Sequence, residues 1–154
     1  MVTKPLEEDY RATPYLICRN ALQALEWYKK SFSAEEIIRM ADPSGKIMHA
    51  ELRIGRAPLM LADEFPDMGY KSPESIGGSA VSIHVLVEDV DKTFSKAIEF
   101  GAKEVMAVAD QFDGERRGTL IDPYGHIWLL ATRFEEMSFL EMSERFSKMM
   151  NGEK

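Results

Sequence analysis

The sequence predicts an α+β fold in which two tandem βαβββ modules form a curled mixed sheet around a cup, followed by a C-terminal helix. Three observations favour this architecture. Residues 13–22 and residues 82–91 each have the pattern of a strand that runs directly into a helix. Three short strand-like segments, separated by turn residues, follow each of them. The halves therefore form an internal repeat, and an amphipathic helix pattern ends the chain.

In the first half, a strand is predicted over residues 13–18, and Asn20 is suited to cap the helix that follows. Apolar side chains recur along one face of that helix with helical spacing. Further strands are predicted over residues 35–41, 46–54 and 58–63, with turn residues between them. The apolar face of the helix consists of Ala21, Leu25, Tyr28 and Phe32.

The second half repeats this plan. A strand over residues 82–87 leads to Asp89, which is suited to cap a helix. Three more strands are predicted over residues 103–108, 117–121 and 127–132. The helix again has one apolar face, formed by Val90, Phe94, Ala97 and Ile98.

These patterns divide the chain into five segments. The linker between the modules is rich in Pro, Gly and Ser and is long for a structureless loop, so we interpret it as a lid or a crossover. The last segment contains a capping box, Ser138 with Glu141, and a helix whose apolar face is expected to cover the domain or a second subunit. The segments are an N-terminal arm (1–12), the first module (13–63), the linker (64–81), the second module (82–134) and the C-terminal helix (135–154).

Composition excludes several classes of function. The formal net charge is −7, which disfavours binding to nucleic acid, because phosphate recognition needs clustered Lys and Arg. No apolar run approaches the roughly 20 residues that span a bilayer. The N-terminus lacks the apolar core of a secretory signal, and one cysteine forms no intrachain disulfide. The sequence therefore predicts a cytoplasmic protein with no membrane and no nucleic-acid partner.

Several short motifs carry a resemblance to a known family. They lie at residues 13–16, 27–28, 48–52, 59–64, 87–91 and 122–128, the last reading Asp-Pro-Tyr-Gly-His-Ile-Trp. In this order they resemble the vicinal oxygen chelate superfamily, which includes glyoxalase I, extradiol dioxygenases and bleomycin- and fosfomycin-resistance proteins, and its PhnB-like branch in particular. The resemblance covers residues 13–132. It implies two modules around a shared cup, a small-molecule ligand and a homodimer.

The resemblance also implies where a divalent metal would be held. In metal-dependent members, His, Gln or Glu ligands come from the first and fourth strands of each module. Alignment through the strand-to-helix turns and the last strands places them at Thr13, Met60, Ser82 and Leu129, none of which is a good ligand for a divalent ion. We therefore predict no metal at the usual site and no cofactor, with a divalent metal at a displaced site as an alternative.

Strand alternation predicts which side chains face the cup. His49 and Glu51, on the third strand, alternate with apolar side chains that are expected to face the helix. His84, on the first strand of the second module, alternates with apolar side chains in the same way. If the three converge, a histidine beside a carboxylate is suited to act as a general base, and the trio is equally suited to hold a displaced metal. Two alternatives are equally compatible with the sequence: His84 is a hydrogen-bonded histidine of the core, and His49 and Glu51 face solvent at a sheet edge. The helix-facing set of the third strand is Met48, Ala50, Leu52 and Ile54, and the further candidate ligand contacts are Tyr15, Met60, Gln111 and Arg116.

The leading functional hypothesis is a glyoxalase/bleomycin-resistance-like protein that binds a small organic molecule in the cup without the usual divalent metal. One alternative is a lyase, isomerase or dioxygenase that uses His84, His49 and Glu51, with or without a displaced metal. A second alternative is a drug-sequestering resistance protein. The sequence leaves the ligand and any reaction unspecified.

Overall fold

The computed structural model describes residues 11–152, so most of the predicted N-terminal arm lies outside the described residues. The predicted fold class is confirmed: two βαβββ modules are followed by a C-terminal helix. The first module contains β1 (Tyr15–Cys18), α1 (Ala21–Phe32), β2 (Glu35–Ala41), β3 (Ile47–Ile54) and β4 (Ala57–Asp63). The later elements are α2 (Pro73–Ile76), β5 (Ser82–Leu86), α3 (Val90–Glu99), β6 (Lys103–Asp110), β7 (Glu115–Ile121), β8 (Ile127–Arg133) and α4 (Phe139–Met150).

Each module builds its own four-stranded sheet with the same topology. The strand orders are β1-β4-β3-β2 and β5-β8-β7-β6. In each sheet the first strand runs parallel to the fourth, and the other neighbours are antiparallel. The parallel pair requires a crossover, and the helix that follows the first strand provides it.

The repeat extends to how each helix is capped. The carboxylate of Asp63, at the end of β4, accepts hydrogen bonds from the backbone nitrogens of Ala21 and Ile47, at 2.9 and 2.7 Å. At the matching place on β8, the hydroxyl of Thr132 accepts from Val90 N at 2.8 Å. In both halves a polar side chain of the last strand thus satisfies a free N–H of the first helical turn.

The two modules pack together through their helix-covered sides and share one hydrophobic core. The rings of Tyr28 and Phe32, from α1, lie 5.5 and 4.9 Å from that of Trp128 on β8. The indole N–H of Trp27 donates to the backbone oxygen of Phe100 at 2.8 Å. Consequently the face of each sheet opposite its helix points away from this core; we call it the open face.

The linker contains ordered structure that its composition does not indicate. A 3₁₀ turn spans Pro66–Met68, and Phe65 and Tyr70 exchange two backbone hydrogen bonds that close the loop. Glu64 accepts from the backbone nitrogen of Ser72, the N-cap of α2, at 2.9 Å and from the Ser75 hydroxyl at 2.7 Å. The linker is therefore fixed to the end of β4.

Several strand bounds differ from the predicted ones by one or two residues, and β3 contains a bulge. β7 begins at Glu115, two residues earlier than predicted, so the irregular segment before it is shorter. On β3 the pairing with β2 skips Met48, since Met40 pairs with His49 and Ala41 pairs with Ile47. This bulge places Ile47 in the core and leaves Met48 47% exposed, so the prediction that Met48 faces the helix is wrong.

The capping box of α4 is present as predicted, but the helix covers little of its own chain. None of its residues, all of which the structure describes, is buried. It is held by a two-fold ion pair between Arg145 and Glu135 and by ring contact between Phe146 and Phe112 at 5.5 Å. Within residues 11–152, no helix is both long and apolar enough to cross a membrane.

Candidate functional site

The open face of the first sheet brings four of the predicted site residues together. Tyr15 pairs with Met60, and Met60 pairs with Glu51, so the three lie side by side across β1, β4 and β3. His49 lies two residues before Glu51 on the same face of β3. The predicted strand alternation therefore places these four side chains on one surface.

Three of these side chains form a hydrogen-bonded chain. The Tyr15 hydroxyl lies 2.8 Å from Nδ1 of His49, and Nε2 of His49 lies 3.2 Å from Oε1 of Glu51. Because an ionised carboxylate only accepts hydrogen bonds, Nε2 carries a proton and donates to Glu51. In neutral His49, Nδ1 is then the acceptor, and the Tyr15 hydroxyl donates to it. We call Tyr15, His49 and Glu51 the relay.

The environment of Tyr15 keeps its hydroxyl protonated. Partial burial is the largest cause that raises the pKa of Tyr15, and the neighbouring Tyr70 and Glu51 raise it further. Tyr15 is nevertheless 45% exposed and lines cavities on the open face. Tyr15 is thus the accessible end of the relay, and Glu51 orients its far end.

Tyr15 lies between two cavities. An open groove of about 680 Å³ runs between β1 and β5 beneath the linker and is bordered by Tyr15, Ile17 and His84. A second cavity of about 450 Å³ lies between the open face and the loop at residues 65–70. We call the second one the aromatic cavity; its lining is Tyr15, Ile17, Met48, Ala62, Asp63, Phe65, Met68 and Tyr70.

His84 lies on the open face of the second sheet and forms a different polar cluster. Its Nε2 lies 2.9 Å from Oε2 of Glu115, whose carboxylate also accepts from Arg117 at 2.7 Å and Arg133 at 3.3 Å. Burial acts to raise the pKa of Glu115, but the hydrogen bonds from His84 and the two arginines outweigh it and lower the pKa. His84 thus shares the groove with Tyr15 but has its own carboxylate partner.

The other two candidate contacts lie elsewhere. The guanidinium of Arg116 binds both carboxylate oxygens of Asp91, at 2.7 and 2.8 Å, and Asp110 at 2.9 Å. Arg116 is the register partner of Thr132, which caps α3, so it is on the helix side of the sheet. The side-chain nitrogen of Gln111 donates to the backbone oxygen of Ala109 at 3.2 Å. Neither residue borders the two cavities at Tyr15.

The side chains at the family's metal-ligand places do not fit a divalent ion. In register, Met60 lies beside Tyr15 and Leu129 beside His84, so the fourth strands present a thioether and a hydrocarbon. Thr13 and Ser82 add neutral hydroxyls, whereas a divalent transition metal is held by imidazole, thiolate or carboxylate. Among residues 11–152, no three His, Cys, Asp or Glu side chains are grouped as a metal site.

Sequence reasoning missed three residues of these surfaces. Glu115 precedes the predicted strand at residues 117–121, but β7 begins at Glu115 and brings its carboxylate to His84. Phe65 and Tyr70 were assigned to an irregular linker, but their backbone pairing places both on the aromatic cavity. The aromatic pair flanking a Pro-Asp-Met-Gly turn was the available signal for a closed loop.

The chain is similar to proteins with no described activity and to solved structures of the same fold. It is 41% identical over 153 residues to the uncharacterized protein Rv0887c of Mycobacterium tuberculosis, which covers 97% of this chain and 90% of the relative. TioX from Micromonospora sp. ML1 is 25% identical with a TM-score of 0.63, over 83% of this chain and 99% of TioX. The PhnB protein from Bacillus cereus shares the fold at 21% identity and a TM-score of 0.63, over 79% and 98% of the two chains.

A family model also matches most of the chain. The model of the Glyoxalase/Bleomycin resistance protein/Dioxygenase superfamily matches residues 12–130, from before β1 to the middle of β8, and so spans nearly all of both βαβββ modules. This match confirms the resemblance carried by the sequence motifs. The chain belongs to the Glyoxalase/Bleomycin resistance protein/Dioxygenase superfamily.

Proposed function

We propose that this protein binds a small, largely apolar organic molecule in the aromatic cavity of the first module, without a divalent metal at the family's usual ligand places. The observation that carries the proposal is the composition of the cavity. Its walls are mainly aromatic and aliphatic, and its accessible hydrogen-bonding groups are the hydroxyls of Tyr15 and Tyr70. An apolar enclosure with few, fixed polar groups is the usual form of a small-molecule site.

The polar atoms around this cavity support a neutral ligand body. The carboxylate of Asp63 is already bonded to Ala21 N and Ile47 N. The ammonium of Lys46 lies 4.2 Å from the centre of the Phe65 ring, outside the lining. A ligand therefore finds apolar contact over most of its surface and directional partners at the hydroxyls of Tyr15 and Tyr70.

A homodimer is part of the proposal. The open faces carry large apolar side chains that the single chain leaves uncovered, among them Met40 at 50% and Met106 at 61% exposure. On α4, Phe139, Phe146 and Met149 of the apolar face are exposed, and so is the neighbouring Leu140. Exposed apolar surface of this kind is typical of a protein–protein interface. We expect a second copy of the chain to cover it and to complete the walls of the open groove.

Two alternative functions, an enzyme and a drug-sequestering protein, each need a feature that the leading proposal does not. Enzymatic use of His84 together with His49 and Glu51 needs a ligand that reaches both open faces through the groove that Tyr15 and His84 share. Drug sequestration, as in the resistance proteins that give the family part of its name, needs tight binding without turnover. Titration calorimetry with bleomycin tests that alternative directly.

The proposal is tested with the neutral fluorescent probe N-phenyl-1-naphthylamine. The wild-type protein, after dialysis against EDTA, is expected to bind it with unchanged affinity. Met48→Lys, which places a charge in the aromatic cavity, is expected to weaken binding at least about tenfold, since an unpaired ammonium next to an apolar ligand is poorly solvated. Met48 is half-exposed, so the substitution leaves the core intact.

Leu22→Lys is the matched control, because Leu22 is an exposed apolar residue on α1, outside both the aromatic cavity and the proposed dimer surface. It is expected to leave probe affinity within about twofold of the wild type. Equal losses in the two variants, or loss of binding after EDTA treatment that returns with Mn²⁺ or Zn²⁺, would overturn the proposal.

A further inference from the structure

We propose that Tyr15 is a proton acceptor for the bound molecule and that His49 holds the proton it passes on, so that the relay deprotonates an acidic O–H group of the ligand. This inference rests on the proposed function, since it assigns a role to the hydrogen-bonding end of the aromatic cavity. Tyr15 then contacts the ligand directly. His49 and Glu51 act together with Tyr15, and His84 has no part in the proton transfer.

The geometry of the relay determines the direction of proton transfer. The Tyr15 hydroxyl directs its hydrogen toward Nδ1 of His49, because the other ring nitrogen donates to Glu51. The lone pairs of the phenol oxygen are then available to a donor in the cavity. A ligand O–H is therefore bound as a donor to Tyr15, whereas a ligand with only acceptor atoms gains no hydrogen bond there.

The transfer moves two protons and changes no oxidation state. The ligand O–H bond breaks as its proton bonds to the Tyr15 oxygen, and the original Tyr15 proton moves to Nδ1 of His49. The products are a ligand oxyanion, a neutral Tyr15 and an imidazolium whose charge is paired with the Glu51 carboxylate. The tyrosine itself never has to exist as a phenolate.

The surroundings of the relay are consistent with this role. Burial and the neighbouring Glu51 raise the pKa of Tyr15, which disfavours a lasting phenolate and favours concerted relay. From β4, Asp63 faces the cavity with its carboxylate bonded to two backbone nitrogens, and from the loop Tyr70 contributes a second phenol. On β3 the next charged residue is Arg53, which is paired with Glu35 at 2.6 Å. The carboxylate in direct contact with the imidazole of His49 is that of Glu51, at 3.2 Å.

The chemical class of ligand follows from these contacts. The aromatic cavity of about 450 Å³ accommodates a ring, and the relay selects an acidic hydroxyl attached to it. Phenols and enols meet both requirements. Saturated alcohols are too weakly acidic for an imidazole base to ionise.

The test uses 4-nitrophenol, whose ionised form is yellow. Spectrophotometric titration of the bound probe is expected to give an apparent pKa about one unit below that of the free probe, which is a tenfold gain in ionisation. Tyr15→Phe and His49→Gln are expected to bind the probe but to abolish the lowering, because they remove the acceptor and the base. Glu51→Gln is expected to reduce it, since the imidazolium loses its partner.

Glu35→Gln is the matched control, because Glu35 is on the same sheet but outside the relay and the cavity. It is expected to retain the full lowering. If the wild type binds the probe without any lowering, or if Tyr15→Phe retains it, the relay is refuted while the binding function stands. If the wild type binds neither 4-nitrophenol nor N-phenyl-1-naphthylamine, the binding function itself fails.

Discussion

The hydroxyl of Tyr28, on the helix of the first module, donates a hydrogen bond of 2.5 Å to Oδ2 of Asp122, in the last turn of the second module. Both side chains are buried, and the indole N–H of Trp128 donates to the same oxygen at 2.8 Å. The other oxygen of Asp122 accepts from two backbone nitrogens of its own turn. One carboxylate therefore links the turn to the packing of the two modules.

This link predicts the cost of its removal. Tyr28→Phe is expected to lower the free energy of unfolding by about 1–3 kcal/mol, because it deletes one hydrogen bond to a buried charged group. Asp122→Ala is expected to cost more, because it leaves the Tyr28 hydroxyl and the Trp128 N–H buried without an acceptor. Urea denaturation measures both values. Tyr70→Phe, at an exposed tyrosine, serves as the control and should change stability by less than about 0.5 kcal/mol.

Glu64 predicts a pH dependence of stability. Hydrogen bonds from the Ser72 backbone and the Ser75 hydroxyl lower its pKa to about 2 in the folded protein, against about 4.3 in an unfolded chain. A lowered folded-state pKa stabilises the fold above the unfolded value, and this contribution is lost as the pH falls from about 4.3 toward 2. Glu64→Gln should therefore melt below the wild type at pH 7, and the gap should shrink through that acidic range.

The measurement is thermal unfolding of both proteins at several pH values, with Glu104→Gln, on the exposed strand β6, as the control. The control should show no gap that depends on pH. A gap between wild type and Glu64→Gln that stays constant down to pH 2 would contradict the assigned role of Glu64.

Cys18 is predicted to be inert in the folded protein. It is fully buried, and burial together with the nearby carboxylates of Asp122 and Asp63 raises the pKa of its thiol. Iodoacetamide at pH 8 should leave the native protein unmodified and should alkylate it at one site in 6 M guanidinium, as measured by intact mass. Rapid alkylation under native conditions would show that β1 is accessible.

The C-terminal helix is predicted to stabilise the proposed dimer. Deletion of residues 138–154 should shift the mass in solution from two chains toward one, because the apolar face of α4 is uncovered in the single chain. Phe139→Ser and Leu140→Ser should weaken association in the same direction, since both side chains are more than two-thirds exposed. Lys148→Ser, on the same helix, is the control. Light scattering that reports an unchanged mass for the deletion would exclude α4 from the interface.

Much of the fold could be predicted because each module repeats local signals. The capping residues Asn20 and Asp89 have the predicted roles, and the apolar faces of α1 and α3 enter the core. These features depend on side chains close in sequence, where periodicity and capping chemistry act directly. The alternation on β1 and β3 likewise predicted that Tyr15, His49 and Glu51 share a face.

The sequence by itself thus determined the family, the two modules and the shared face of Tyr15, His49 and Glu51. Only the tertiary structure decided that Met48 turns to the open face, that Arg116 serves the helix side and that His84 is paired with Glu115. A bulge depends on how two strands pair, and the partner of a long charged side chain depends on which distant element lies beside it. These contacts form between different elements of one module, and no local pattern encodes them.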